Sequence, residues 1–314
     1  MPALITSDYA TVSDSSTIWV YYQNDANELC EVTSSDGSKW TETSGAVADK
    51  LNAGGSPITA YYVKNDGTAG GKSAIHVIYI DASGILHEKV KTPLDNQKWE
   101  ERELSDDIKK APNQTSRLAS GVCHDTAPGA HQWIFFEKLD SESGSPQIAE
   151  LRSGSESSFK WTYQAILPEM PASALPGTQL ATNITNPANH LFFQDHEGDV
   201  TEYIGGYDSW NDHAEILTND KVEINTPISA ANSSVPEKPY VFYVSRTTPL
   251  TIMCYDHDKS KSTEVGRYFP GTNLDAITVQ TKVYLVHKPL EKRGAVWTRV
   301  FDGKEWGMGA QVVA

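Results

Sequence analysis

Cysteine is scarce in this chain of 314 residues, with only Cys30, Cys123 and Cys254. Their odd number and wide separation argue against a disulfide framework. Long apolar runs are absent, and nothing approaches the ~20 residues of a membrane span. The opening stretch MPALITSDYA has neither a basic region nor an apolar core, so a signal peptide is not expected and a cytoplasmic location is. Basic residues are outnumbered, 26 Lys and Arg against 41 Asp and Glu, giving a net charge of −15. Repulsion from phosphates then argues against nucleic acid and against anionic membrane surfaces as partners. Helical periodicity is also missing: no apolar i, i+3, i+4, i+7 stripe lasts for ~11 residues. VADKLNA at 47 and DDIKKA at 106 have room for one helical turn each.

What the chain does have is one strand written six times. TIWVYYQ at 17–23 returns as AIHVIYI at 74–80, QWIFFE at 132–137 and NHLFFQ at 189–194, then more loosely as PYVFYV at 239–244 and TKVYLV at 281–286. Aromatic and β-branched residues bounded by turn residues read as strands. A small-residue strand precedes each copy: ALITS, SPITA, SRLAS, TQLAT, TPISA and TNLDA. A third strand follows a polar turn (ELCEV, ILHEKV, QIAEL, DVTEYI, LTIMCY, VWTRVF), and a Trp opens a short fourth strand in five copies, with GRYF at 266 standing in for it in the fifth. Four strands per repeat at this period predict an all-β fold, a six-bladed β-propeller with four antiparallel strands per blade. The expectation is a single domain over 1–314, with blades near 1–53, 54–114, 115–176, 177–224, 225–270 and 271–314. Each blade is complete in itself, so closure must rest on packing of the sixth blade against the first.

Several familiar signals fail on inspection. DGTAGGKS at 66–73 imitates a phosphate loop, but a strand rather than a helix is expected after it. QDHEGD at 194 and YDHDKS at 255 are turn-forming and lack the spacing of a calcium loop. No HExxH, zinc-spaced Cys/His cluster or G-x-S-x-G elbow is present. No metal and no cofactor is therefore expected.

The repeat grammar resembles that of the fungal fucose-specific lectins of the Aleuria type, which are six-bladed propellers. The resemblance covers nearly the whole chain and is clearest at VYYQNDANELCE from 20 and MCYDHDK from 253. It implies a sugar site between neighbouring blades, and homodimers are common in that family. There an Arg on the second strand and a Glu on the third hold sugar hydroxyls while aromatic rings cover the sugar's apolar face. Carried over by residue, the Glu persists as Glu31, Glu88, Glu150 and Glu202, and gives way to Ile252 and Thr298 in the last two blades. The Arg persists nowhere. Trp19, His76, Trp133, His190, Tyr240 and Lys282 stand in its place. Loss of a charged partner at all six positions argues against ordinary fucose binding.

A second resemblance is to the lectin-like hetero-Diels–Alderases of fungal tropolone-sesquiterpene biosynthesis. It implies a cofactor-independent enzyme that joins a tropolone-derived quinone methide to a humulene-type terpene, with small apolar molecules as partners. His76 or His190 beside Glu88 or Glu202 suits the acid–base steps, and Lys282 or Tyr240 a developing oxyanion. Trp19 and Trp133, with Glu31 and Glu150, would then hold the two reactants together. The alternative is a carbohydrate-binding lectin with altered sites, using the four Glu residues with Trp19 and Trp133 and taking glycans as partners. A third is an interaction propeller, in which these His and Trp residues only fill space and Lys282 lies in water.

Overall fold

A computed structural model describes residues 2–92, 98–123, 131–167, 173–185, 188–206, 209–235, 237–290, 292 and 294–313. Six four-stranded antiparallel sheets follow one another along the chain. The first is built from Tyr9–Ser13, Ile18–Gln23, Leu29–Ser34 and Thr41–Glu42, the second from Ile58–Asp66, Lys72–Ile80, Leu86–Lys91 and Glu100–Glu101. The third has Leu118–Cys123, His131–Leu139, Pro146–Ser153 and Thr162–Leu167, the fourth Ala181–Ile184, Asn189–Gln194, Val200–Gly205 and Trp210–Leu217. The fifth has Ser229–Ala231, Tyr240–Val244, Thr251–Asp256 and Lys261–Arg267, the sixth Leu274–Val279, Lys282–His287, Val296–Phe301 and Trp306–Val313. Each sheet falls within its expected stretch of sequence. DDIKKA does form one turn of helix, Asp106–Lys109. VADKLNA does not. Its backbone is spent on the first sheet, where Ala48 bridges Leu29 and the Leu51 amide bonds to Asn27. The turn after Asp66 leads into a strand, which removes the helix N-terminus that a phosphate loop needs.

The sheets gather into two compact units. Residues 59–219 carry the second, third and fourth sheets, and residues 1–58 with 220–314 carry the fifth, sixth and first. The second strands are the most deeply buried elements of their sheets: Ile18–Gln23 and Asn189–Gln194 are buried throughout. In the first unit, Ile78 and Leu86 of the second sheet meet Ile134, Phe136 and Leu151 of the third. The opposite face of the third sheet, with Trp133, Phe135 and Ile148, meets Leu191 and Phe193 of the fourth. Burying each such side chain contributes ~1.5–3 kcal/mol.

In the second unit the sixth sheet lies against the first, as closure requires: Val286, Val296 and Val312 pack on Ala3, Val20 and Tyr22. Polar contacts reinforce this seam. The Thr11 amide and hydroxyl both donate to Asp275 Oδ2, at 2.7 and 2.8 Å. The buried Lys288 amine donates to the carbonyls of Ala3 and Leu4, at 2.8 and 2.9 Å.

A hydroxyl ahead of each first strand sets the common register. Ser7, Ser116, Thr178 and Thr226 accept the backbone amides of Gln23, Glu137, Gln194 and Val244 at 2.7–2.8 Å. Buried Ser56 and Thr272 occupy the same place in the other two sheets. Equivalent positions on the second and third strands can therefore be counted from this anchor rather than from sequence similarity.

Candidate functional site

In the first four sheets the third-strand Glu pairs with an aromatic or aliphatic residue of the second strand: Glu31 with Tyr21, Glu88 with Ile78, Glu150 with Phe135 and Glu202 with Phe192. Two residues earlier on the second strand, on the same face, stand Trp19, His76, Trp133 and His190, as read from the sequence. The last two sheets correct that reading. Phe242 pairs with Cys254, so Cys254 and not Ile252 replaces the fifth Glu, with Tyr240 at the ring position. In the sixth sheet Leu274 pairs with His287 where Tyr9 pairs with Tyr22, which puts Val286 opposite Thr298 and brings Tyr284 to the ring position. Lys282 lies one pleat further out and is exposed. The six positions are thus Trp, His, Trp, His, Tyr and Tyr, a ring in every sheet. One drifted residue in each of the two weak repeats hid this from sequence comparison.

The second sheet carries the densest polar cluster. Glu88 Oε1 receives His76 Nδ1 at 2.7 Å and Arg102 Nη1 at 3.0 Å, while Oε2 accepts the indole N–H of Trp161 from the third sheet at 2.7 Å. His76 Nε2 bonds Asp66 at 2.9 Å, and Tyr61 stacks on the imidazole with centroids 4.8 Å apart. The Tyr61 hydroxyl donates to Gln132 of the third sheet at 2.9 Å. Burial alone would raise the Glu88 carboxyl, but the Arg102 charge and the bonds from His76 and Trp161 hold it below its usual range. Asp66 is likewise held at about 2, burial being outweighed by its bond and attraction to His76. Burial opposes the charge on His76, yet the bonds from both carboxylates raise its pKa.

The third sheet repeats the theme with a different guanidinium. Arg152 donates Nη2 and Nε to Glu150 Oε1, at 2.7 and 3.2 Å, and lies over the Trp133 ring at 5.6 Å. Trp210, which opens the fourth strand of the fourth sheet, donates its N–H to Glu150 Oε2 at 2.9 Å. In the fourth sheet His190 Nδ1 meets Glu202 at 2.7 Å, and in the first the Tyr21 and Thr43 hydroxyls bond Glu31 at 2.8 and 2.9 Å.

The two sheets without Glu are filled by rings. Trp306 meets Phe242 edge-on at 5.6 Å and Tyr240 meets Phe301 at 5.9 Å. Tyr268 does not open the fifth sheet's fourth strand; it follows that strand and turns its hydroxyl to the Thr272 carbonyl, at 2.5 Å. Between the sixth sheet and the first, Thr298 Oγ1 is engaged with the backbone of Ala310, and the buried indole N–H of Trp40 has no partner among the described residues.

Of the residues expected from sequence, His76 meets Glu88 and His190 meets Glu202, while Arg102 and Arg152 were not among them. In two sheets a guanidinium from off the second strand, Arg102 or Arg152, bonds the Glu. Arg152 could have been found as the residue two places beyond Glu150, on the same face of the strand. Arg102 had no such signal. Elsewhere, Asp195 and Asp199 of the QDHEGD turn and Glu215 of the strand Trp210–Leu217 bring carboxylate oxygens within 4.8 Å of one another. Asp195 and Asp199 are occupied by the amides of Glu197, Asp199 and Asn219.

Solved structures share this arrangement of sheets. The Aleuria aurantia lectin, a six-bladed propeller with a fucose recognition mode of its own, superposes with TM-score 0.72 at 18% identity, covering 99% of this chain and 97% of that one. The fold is that of the Aleuria-type lectin propellers. AofleA from Arthrobotrys oligospora matches with TM-score 0.78 at 17% identity over 100% of this chain and 88% of that one. SapL1 lectin, solved with α-methyl fucoside, gives 0.72 at 18% identity over 99% and 98%. No protein-family model and no curated protein matches the sequence. The propeller expectation, with four antiparallel strands per blade, is met, and the likeness is to lectins; the cycloaddition reading gains nothing from it.

Proposed function

We propose that this chain is a glycan-binding, lectin-like propeller that has rebuilt its sugar sites around displaced guanidinium groups. The observation that carries the reading is the set Glu150, Arg152, Trp133 and Trp210. A carboxylate is gripped by an Arg fork on one oxygen and by the next blade's indole N–H on the other, with a second indole beneath the guanidinium. Such a set brings together a charged acceptor, guanidinium and indole N–H donors and flat apolar faces, which are the kinds of group that hold sugar hydroxyls and sugar C–H faces. Fucosides bound to structurally similar lectins support fucose-like sugars as the first class to test.

Geometry weighs against two of the residues offered for the cycloaddition reading. His76 is fully buried with both ring nitrogens engaged at 2.7 and 2.9 Å, so it has no nitrogen to present to a hydroxymethyl-tropolone. Lys282 lies off the site. The deciding measurement is calorimetric titration with methyl α-L-fucoside and a panel of neutral glycans, on the wild type and on Arg152→Lys. Lysine keeps the charge but loses the fork, so binding is expected to weaken by about tenfold or more. No glycan binding, together with protein-dependent joining of a hydroxymethyl-tropolone and humulene, would overturn the proposal in favour of the enzyme.

A further inference from the structure

A piece of the chain is folded onto the Glu88 cluster. After the third strand of the third sheet, residues 154–160 make a turn of 3-10 helix, Ser155–Ser157, then pass through Ser158 at φ 52° and Phe159 at φ 59°. Two consecutive left-handed residues, neither of them glycine, are costly, and a bulky Phe is an outlier there. Such strain persists only where surrounding contacts impose it.

Two contacts do so. Arg102 Nη2 donates to the Phe159 carbonyl and, at 3.1 Å, to Ser153 Oγ, while Nη1 holds Glu88. The Phe159 ring rests on bare Gly67, where an added Cβ would come within 2.0 Å of Cζ. Gly67 is outside the left-handed region, so it is the missing side chain and not the backbone angle that the contact uses.

We propose that residues 154–160 are a strap that plugs the Glu88–Arg102–Trp161 site from within, the Phe159 carbonyl taking the guanidinium donor meant for a ligand oxygen. The site binds a neutral, hydroxyl-rich ligand once the strap lifts. Neutral, because two carboxylates, Glu88 and Asp66, are already interleaved with Arg102 and His76. Hydroxyl-rich, because the strap's own contact is a single oxygen acceptor on an Arg N–H, and the Trp161 indole, 5.2 Å from the guanidinium carbon, adds an apolar face. This rests on the glycan-binding reading for its ligand class, but it concerns a different cluster.

Two variants test it. Phe159→Ala removes the ring, and Gly67→Ala leaves the ring intact but takes away its seat. Hydrogen exchange at the Phe159 amide, which donates to the Gly154 carbonyl, reports the strap. It is expected to speed up by roughly tenfold in both variants. Calorimetry with methyl α-L-fucoside, and with glycerol as a bare polyol control, reports the site: both variants are expected to bind one more equivalent of fucoside per chain than the wild type. A gain in the variants when the wild type binds nothing supports the strap while removing the Glu150 site as the proposed function. Faster exchange without an added equivalent overturns the strap, and so does unchanged exchange in both variants.

Discussion

The indole N–H of Trp161 reaches out of the third sheet to the Glu88 carboxylate of the second, at 2.7 Å. Trp210 makes the same bond from the fourth sheet to Glu150 in the third, at 2.9 Å. The fourth-strand Trp is thus more than an apolar plug, because it clasps one sheet to the acidic residue of the preceding sheet. The same Trp is Trp40 in the first sheet, and there the preceding sheet offers Thr298 instead of Glu. The Trp40 N–H is buried and unmet.

Replacing Trp161 and Trp40 by Phe should therefore have unequal consequences. Trp161→Phe leaves a buried carboxylate oxygen without its donor and should lower stability by ~1–3 kcal/mol. Trp40→Phe removes a donor that has no acceptor and should cost less than ~1 kcal/mol. Urea unfolding midpoints compare them; equal losses in the two variants would refute the clasp.

The buried network around His76 sets a pH window. His76 holds its proton more tightly folded than unfolded, so its contribution is complete below its ordinary 6.5 and is lost as pH rises through the higher folded value. Asp66 is depressed, so its contribution is present above its ordinary 3.8 and is lost as pH falls through about 2. His76→Asn should flatten the decline on the alkaline side while lowering stability near pH 5. Denaturation midpoints at about pH 5 and about pH 9 check the slope.

Lys288 should show the reverse sign. Burial pushes its amine down to about 8, below the ordinary 10.5, so folding is favoured increasingly as pH rises from about 8 towards 10.5. Its bonds to the Ala3 and Leu4 carbonyls also tie down the amino-terminal segment. Lys288→Met keeps the stem but leaves two carbonyls without their donor. Exchange at the Ser7 amide, which is bonded to Leu4, should rise while the fifth sheet is unaffected. Uniform loss of protection across the second unit would show that Lys288 has no such local role.

The thiols should react unequally. Cys30 is pushed up to about 11 by burial and by nearby Glu28 and Glu42, and burial raises Cys254 further still. Cys123 is only half-buried. A thiol reagent should label Cys123 first in the folded protein, with the other two reacting only on unfolding; early labelling of Cys254 would contradict its enclosed position.

The strands and their grouping were legible in the sequence because they depend on local pattern. Alternating apolar and aromatic residues with a repeated small-residue lead-in produced sheets wherever that pattern occurred, from Ile18–Gln23 to Lys282–His287. Register in the weak repeats was not legible. A slip of two residues keeps every side chain on its original face and leaves alternation unchanged, so only the pairing of Leu274 with His287 and of Phe242 with Cys254 reveals Tyr284 and Cys254 as the true equivalents.

By itself, then, the sequence determined that this chain forms six four-stranded sheets, that four of them carry a Glu on the third strand, and that an aromatic or imidazole ring stands on the second strand of each of those four. Only the tertiary structure decided what each Glu meets. Arg102 lies 14 residues from Glu88 and Trp161 lies 73 away, and neither separation has a period that local pattern can register. A buried carboxylate must find donors or lose the free energy of its hydration, and which donors reach it depends on how sheets pack, not on how a strand alternates.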